Sequence, residues 1–142
     1  MIVPMSSKKM LDTNILLYSI SSNPTESAKR DKALDILRSP MNCLSAQVIQ
    51  EFYVQATHPT RGSLTHDQAY IVIESLRFMP FQPTTLALIH TAFDIKTRYQ
   101  ISYWDSAIIS AAKLLECKVL LSEDLNHGQI YADVQVINPF RD

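Results

Sequence analysis

The sequence predicts an α/β fold with a mainly parallel sheet. Short leucine-rich or β-branched runs, too brief for helices, alternate with longer segments whose apolar residues recur at helical spacing. The 142 residues, 46% of them hydrophobic and 19% charged, suit one globular domain over residues 1–142 with an adequate core.

The elements follow in order. A first strand covers Lys9–Asp12, and Ile15, Leu16, Leu17 and Tyr18 continue it into a buried turn or helix. Pro24 suits a first helical position, so Thr25–Arg38, with Ala28, Ala33, Leu34 and Leu37 near helical spacing, reads as an amphipathic helix stopped by Pro40. Ser45 caps a helix to Thr57 with Val48, Ile49, Phe52 and Ala56 on one face, ended by the His58-Pro59 step. Thr65 and Gln68 have capping-box spacing ahead of a helix carrying Ala69, Val72, Ile73 and Leu76. Phe78–Gln82 reads as a strand that Pro80 demotes to a sheet edge. Thr84–Tyr99, with Leu86, Leu88, Ile89, Ala92 and Phe93, and Asp105–Glu116, rich in Ala, Ile and Leu, are two further helices. Lys118–Ser122 and Val134–Ile137 are buried strands.

Composition excludes several functions. The chain has two glycines, Gly62 and Gly128, where average usage near ~7% gives about ten. No Rossmann fingerprint or P-loop is present, so any phosphate must be held by side chains or a bound metal. A net charge of −1 provides no overall field for nucleic acid, which must be met locally. No apolar run approaches the roughly 20 residues of a membrane span, and Met1–Met10 lacks a signal core, so a cytoplasmic protein is expected. Cys43 and Cys117 are isolated and read as buried free thiols.

Four acidic residues stand at odd places. Asp12 closes the first strand, and Asp124 follows Val119-Leu120-Leu121 as its counterpart; in open α/β sheets ligands bind at that end. Asp105 opens a helix after Tyr103-Trp104, where the helix dipole stabilises a carboxylate. At about 100° per residue, Glu51 lies roughly 60° outside the apolar arc of its helix, at the border of the core. Each alone has an ordinary explanation as turn former, cap or solvated acid. Together, four converging carboxylates would repel one another unless a cation sat among them, and an all-oxygen pocket suits Mg²⁺ or Mn²⁺. Such a site fits hydrolysis of a nucleic-acid backbone.

Four blocks now carry a resemblance: Leu11-Asp12-Thr13-Asn14-Ile15-Leu16-Leu17-Tyr18, Ser45-Ala46-Gln47-Val48-Ile49-Gln50-Glu51-Phe52-Tyr53, Tyr103-Trp104-Asp105-Ser106-Ala107-Ile108-Ile109 and Leu121-Ser122-Glu123-Asp124-Leu125-Asn126-His127-Gly128. In this order the sequence resembles PIN-domain ribonucleases, and among them the VapC-type toxins of toxin–antitoxin pairs. The resemblance implies a three-layer α/β/α fold, Mg²⁺- or Mn²⁺-dependent endoribonuclease activity on RNA, a homodimer, and a small antitoxin as partner. By motif position it makes Asp12, Glu51, Asp105 and Asp124 the catalytic metal ligands, with Thr13 and Ser122 as polar supports. Many relatives carry an acid where this chain has Asn126, which leaves a second metal open, with Glu123 as a substitute or a solvated neighbour.

Other candidates carry less. His58, His66, His90 and His127 lack zinc spacing, and Ser45 and Ser122 lack a GxSxG setting. Arg61, Lys96 and Arg98 are candidate RNA-backbone contacts, while Tyr53, Tyr103 and Trp104 fit base stacking or, more commonly, the core. Two competing functions are a non-catalytic binding module whose acids serve folding or a partner, and a phospho-acceptor domain using Asp12 or Asp124. The second lacks the acidic pair expected beside its acceptor.

Overall fold

The computed structural model describes residues 7–141, so the reading of Met1–Met10 falls largely outside the described residues. Among the described residues six strands are present: β1 (Lys9–Leu11), β2 (Asn42–Ser45), β3 (Phe81–Gln82), β4 (Val119–Leu121), β5 (Ile130–Tyr131) and β6 (Val134–Ile137). They form one sheet in the order β3-β2-β1-β4-β6-β5, parallel except for the β5–β6 hairpin. The central strands are short and apolar because helices cover both faces, which leaves no side for alternation with polar residues.

Six helices connect them: α1 (Thr13–Ser19), α2 (Ser27–Arg38), α3 (Ala46–Ala56), α4 (His66–Ser75), α5 (Leu86–Tyr99) and α6 (Tyr103–Leu114). The all-buried run Ser106–Ala112 seats α6 on β1, β2, β4 and β6, with α5 packed outside it. On the other side α1 packs against α2 and α3, completing the α/β/α sandwich. Among the described residues no helix is long and apolar enough to cross a membrane.

The caps read from sequence form as hydrogen bonds. Ser45 Oγ accepts from the Val48 amide, and Thr65 with Gln68 closes a complete capping box. Pro80 leads into β3, which lies at the sheet edge, and Cys43 and Cys117 are buried free thiols.

Elsewhere the structure corrects the expectation. Pro24 opens a 3₁₀ turn, Pro24–Glu26, before α2, whose buried residues are Ala33 and Ile36 while Ala28 is exposed. Leu86 and Phe93 are exposed rather than part of the inner face of α5, which is built from Leu88, Ala92 and Ile95. Asp105 is the third residue of α6, because Ser102 caps that helix and Oγ accepts from the Asp105 amide. Strand β2 and the β5–β6 hairpin are additions. The hairpin turns through Ala132 (φ 49°) and Asp133 (φ 69°), left-handed positions that sequence reading associates with glycine or asparagine.

Gly62 has a packing role. A Cβ there would lie 2.5 Å from the His58 amide nitrogen and 2.7 Å from its carbonyl oxygen, both backbone atoms. Gly62→Ala is expected to cost about 1–3 kcal/mol of stability by overpacking, read as a lower midpoint in urea unfolding.

Candidate active site at the switch point of the sheet

From β1 the chain builds the sheet outward through β2 to β3, and then returns to lay β4, β6 and β5 on the opposite flank. The order therefore reverses between β1 and β4, where Leu11 pairs with Leu121. A crevice opens beyond the carboxyl ends of two strands that diverge in this way. The residues that step off these two ends are Asp12 and Ser122.

Asp12 is held from both sides. It is the N-cap of α1, its Oδ1 accepts from the Thr13 amide at 2.7 Å, and its own amide donates to the Leu121 carbonyl at 3.0 Å. Oδ2 accepts from Ser122 Oγ at 2.6 Å, and the same Oγ accepts from the Asp124 amide at 3.1 Å. Ser122, only 1% exposed, thus ties the ends of β1 and β4 together and sets the start of the Asp124 loop. Burial pushes the Asp12 carboxyl up to about 6, against the lowering effect of its two hydrogen bonds, and the negative charges of Asp124 and Glu51 raise it further.

Asp124 stands at the rim, and the Asn14 amide donates to its two carboxylate oxygens at 3.3 and 3.5 Å. Its carboxyl is also raised, first by partial desolvation and then by the charges of Glu123, Asp105 and Glu51. The charge of Glu51, from α3, thus acts on both Asp12 and Asp124, and that of Asp105, from α6, acts on Asp124. Asn14 is not signalled as a site residue by the sequence, because its partner lies 110 residues away.

Glu123 is neither a solvated neighbour nor a free ligand. Its carboxylate pairs with Lys29 at 3.2 Å and accepts from the Tyr18 hydroxyl, with Lys29 lying 4.8 Å from the Tyr18 ring centroid. Asn126 bonds Gln129, and His127 Nδ1 accepts from the Asn138 amide, so both brace the loop that Gly128 (φ 85°) turns. Trp104 is 66% exposed and Tyr53 is also exposed, so neither belongs to the core. Of the candidate basic contacts, Arg61 folds back onto His58 and Arg98 lies over the Tyr99 ring.

The donor set is hard oxygen, as Mg²⁺ or Mn²⁺ requires. Among the described residues no three acidic, histidine or cysteine side chains stand close enough to hold an ion directly. The arrangement instead suits an ion carried on one or two carboxylates through retained waters, which is how Mg²⁺ commonly binds. Two features agree: a raised, mutually repelling carboxylate set, and Thr13 Oγ1, buried beside Asp12 without a hydrogen-bond partner.

The model of the PIN domain matches residues 9–132. No curated protein sequence matches the chain. Among solved structures, a toxin–antitoxin complex from Klebsiella pneumoniae is 18% identical with a TM-score of 0.71, covering 95% of this chain and 100% of its own. FitAB bound to an IR36 DNA fragment is 21% identical with a TM-score of 0.72, covering 94% and 96%. Mycobacterium tuberculosis VapC20, a sarcin–ricin loop cleaving toxin, is 14% identical with a TM-score of 0.63, covering 82% and 92%. At such identities the likeness concerns the fold.

Proposed function

The chain belongs to the PIN domain family, and we propose that it is a divalent-metal-dependent endoribonuclease acting in the cytoplasm as the toxin of a toxin–antitoxin pair. Asp12, Glu51, Asp105 and Asp124 form its acidic metal site in this reading, with Thr13 and Ser122 as polar supports. The observation that carries it is the half-buried Asp12 carboxylate, held by the Thr13 amide and the Ser122 hydroxyl at the sheet's switch point, with Asp124 fixed across from it by Asn14 and the Ser122-held loop. Carboxylates so placed raise one another's affinity for protons, and by the same field for a divalent cation.

A bound Mg²⁺ or Mn²⁺ supplies charge neutralisation at the phosphodiester and a more acidic attacking water. The protein's contribution is positioning. The Thr13 amide and Ser122 hydroxyl fix both Asp12 oxygens, and Asn14 with the Ser122-held loop fixes Asp124. Glu51, in the middle of α3, and Asp105, in the first turn of α6, add negative charge. The toxin role and an antitoxin partner draw support from a structural neighbour described as a toxin–antitoxin complex, and the homodimer rests on the family resemblance alone.

A second reading, a non-catalytic binding module, is favoured by the absence of three closely converging ligands among the described residues. Incubation with single-stranded RNA and Mg²⁺ or Mn²⁺ separates the two. Internal cleavage that EDTA stops and Asp105→Asn reduces supports the enzyme; equal products from wild type and variant remove the site assignment.

Ser122→Ala tests the positioning. It deprives Asp12 of a donor and the Asp124 amide of an acceptor, so a stability loss of about 1–3 kcal/mol is expected. The Asp12 carboxyl loses a hydrogen bond that lowers it, so the acid limb of the pH–rate profile moves to higher pH. An unmoved acid limb would separate Ser122 from the chemistry.

A further inference from the structure

We propose that the cavity between the start of α3 and the exposed edge of α6 is a nucleobase pocket beside the acidic site, with Trp104 as its stacking face; this rests on the endoribonuclease reading above. The cavity has a volume of about 250 Å³, and its walls include Ser45, Gln47, Gln50, Tyr103 and Trp104. That volume falls below the ~300–1,000 Å³ of sites for drug-sized ligands and suits a single planar ring system.

Its placement ties it to the acids. Trp104 immediately precedes Asp105, Gln50 immediately precedes Glu51, and Gln47 lies one helical turn before Glu51. The cavity thus shares α3 and α6 with two of the four acids. The Gln47 amide donates to the Trp104 carbonyl at 3.4 Å, joining the two walls.

The lining chemistry selects the occupant. No charged side chain lines the cavity, which disfavours a phosphate or a charged peptide segment. Trp104 packs against Tyr103 in a T-shaped contact with ring centroids 5.1 Å apart, and Tyr103 rests on Phe93 at 5.8 Å. The braced indole remains 66% exposed, a large ring surface held in water beside the site. Aromatic faces stack on unpaired bases, and glutamine carboxamides offer both donors and acceptors to base edges. A single-stranded RNA base uses both features.

Trp104 is the chain's one tryptophan, so its fluorescence reports the pocket alone. The full chain is titrated with a single-stranded oligoribonucleotide in EDTA, which stops cleavage. Saturable quenching is expected of the wild type, and the anisotropy of the same oligoribonucleotide carrying a fluorescent label, which reads all the proteins alike, is expected to show binding weakened about tenfold or more in Trp104→Ala and mostly restored in Trp104→Phe. With Mg²⁺ present, Trp104→Ala raises KM by a similar factor while kcat stays within about threefold.

Binding of Trp104→Ala within twofold of wild type, or no quenching at saturation, overturns the proposal. So does a smaller sedimenting species in Trp104→Ala with RNA affinity intact, which makes the indole a contact between copies. Quenching without cleavage by the wild type supports the pocket and removes the endoribonuclease reading. Cleavage without quenching does the reverse.

Discussion

Asp12→Asn is expected to lower metal-dependent RNA cleavage by at least about a thousandfold, an effect on the order of 4 kcal/mol in the barrier, while the protein stays folded. The substitution removes the negative charge at the centre of the cluster and keeps the shape of the side chain. Asparagine is as good an N-cap as aspartate, so α1 keeps its first-turn bond to Thr13. Only one carboxamide oxygen remains to serve the Thr13 amide and Ser122 together, which costs about 1 kcal/mol. Parallel rate measurements and circular dichroism check both halves; full activity in a folded variant would take Asp12 out of the chemistry.

The second large effect is on stability, and its sign is opposite to that of most buried acids in ion pairs. The Asp12 carboxyl rises from 3.8 to about 6 on folding. Between those pH values the folded chain holds a proton that the unfolded chain has released, so stability falls as pH rises through the window. The penalty is absent below about 3.8 and complete above about 6. A gap of roughly two pH units corresponds to about 3 kcal/mol. Metal-free wild type should therefore melt about 10 °C lower at pH 7 than Asp12's contribution at pH 4 would allow. Comparison with Asp12→Asn isolates this contribution, because the variant lacks the slope and comes out about 1–2 kcal/mol more stable at pH 7 after its lost hydrogen bond. Mn²⁺ at saturation should raise the melting temperature of wild type at pH 7 and leave the variant unmoved. Identical pH slopes for the two proteins would contradict the buried-carboxylate account.

Much of the sheet was legible because local chemistry decides it. Val119–Leu121 is apolar, Val134–Ile137 is β-branched around Gln135, both are short and bounded, and Thr65 with Gln68 announces a helix start by two reciprocal hydrogen bonds. Strand β2 was not legible, since Asn42 and Ser45 flank two apolar residues and their burial comes from neighbouring strands rather than from pattern. The Ala132-Asp133 turn was hidden because alanine does not advertise a left-handed backbone, although Asp133 tolerates one.

For the candidate site, the residue types and their order could be read, whereas the pairings could not. Asp12 and Ser122 meet because β1 lies beside β4, a fact of topology that spans 110 residues. Lys29 captures Glu123 across 94 residues, and no sequence pattern signals that a charge in α2 will reach the loop after β4. Trp104 sits next to apolar residues in sequence but faces outward because Ser106–Ala112 supply the buried stripe of α6.

Calorimetric titration with Mn²⁺ at pH 7, on wild type beside Asp12→Asn and Asp124→Asn, tests most directly whether these carboxylates hold a divalent cation. The predicted result is saturable binding by wild type that releases protons and is lost in Asp12→Asn and weakened at least tenfold in Asp124→Asn. Equal binding by all three proteins, or none by wild type, would contradict it.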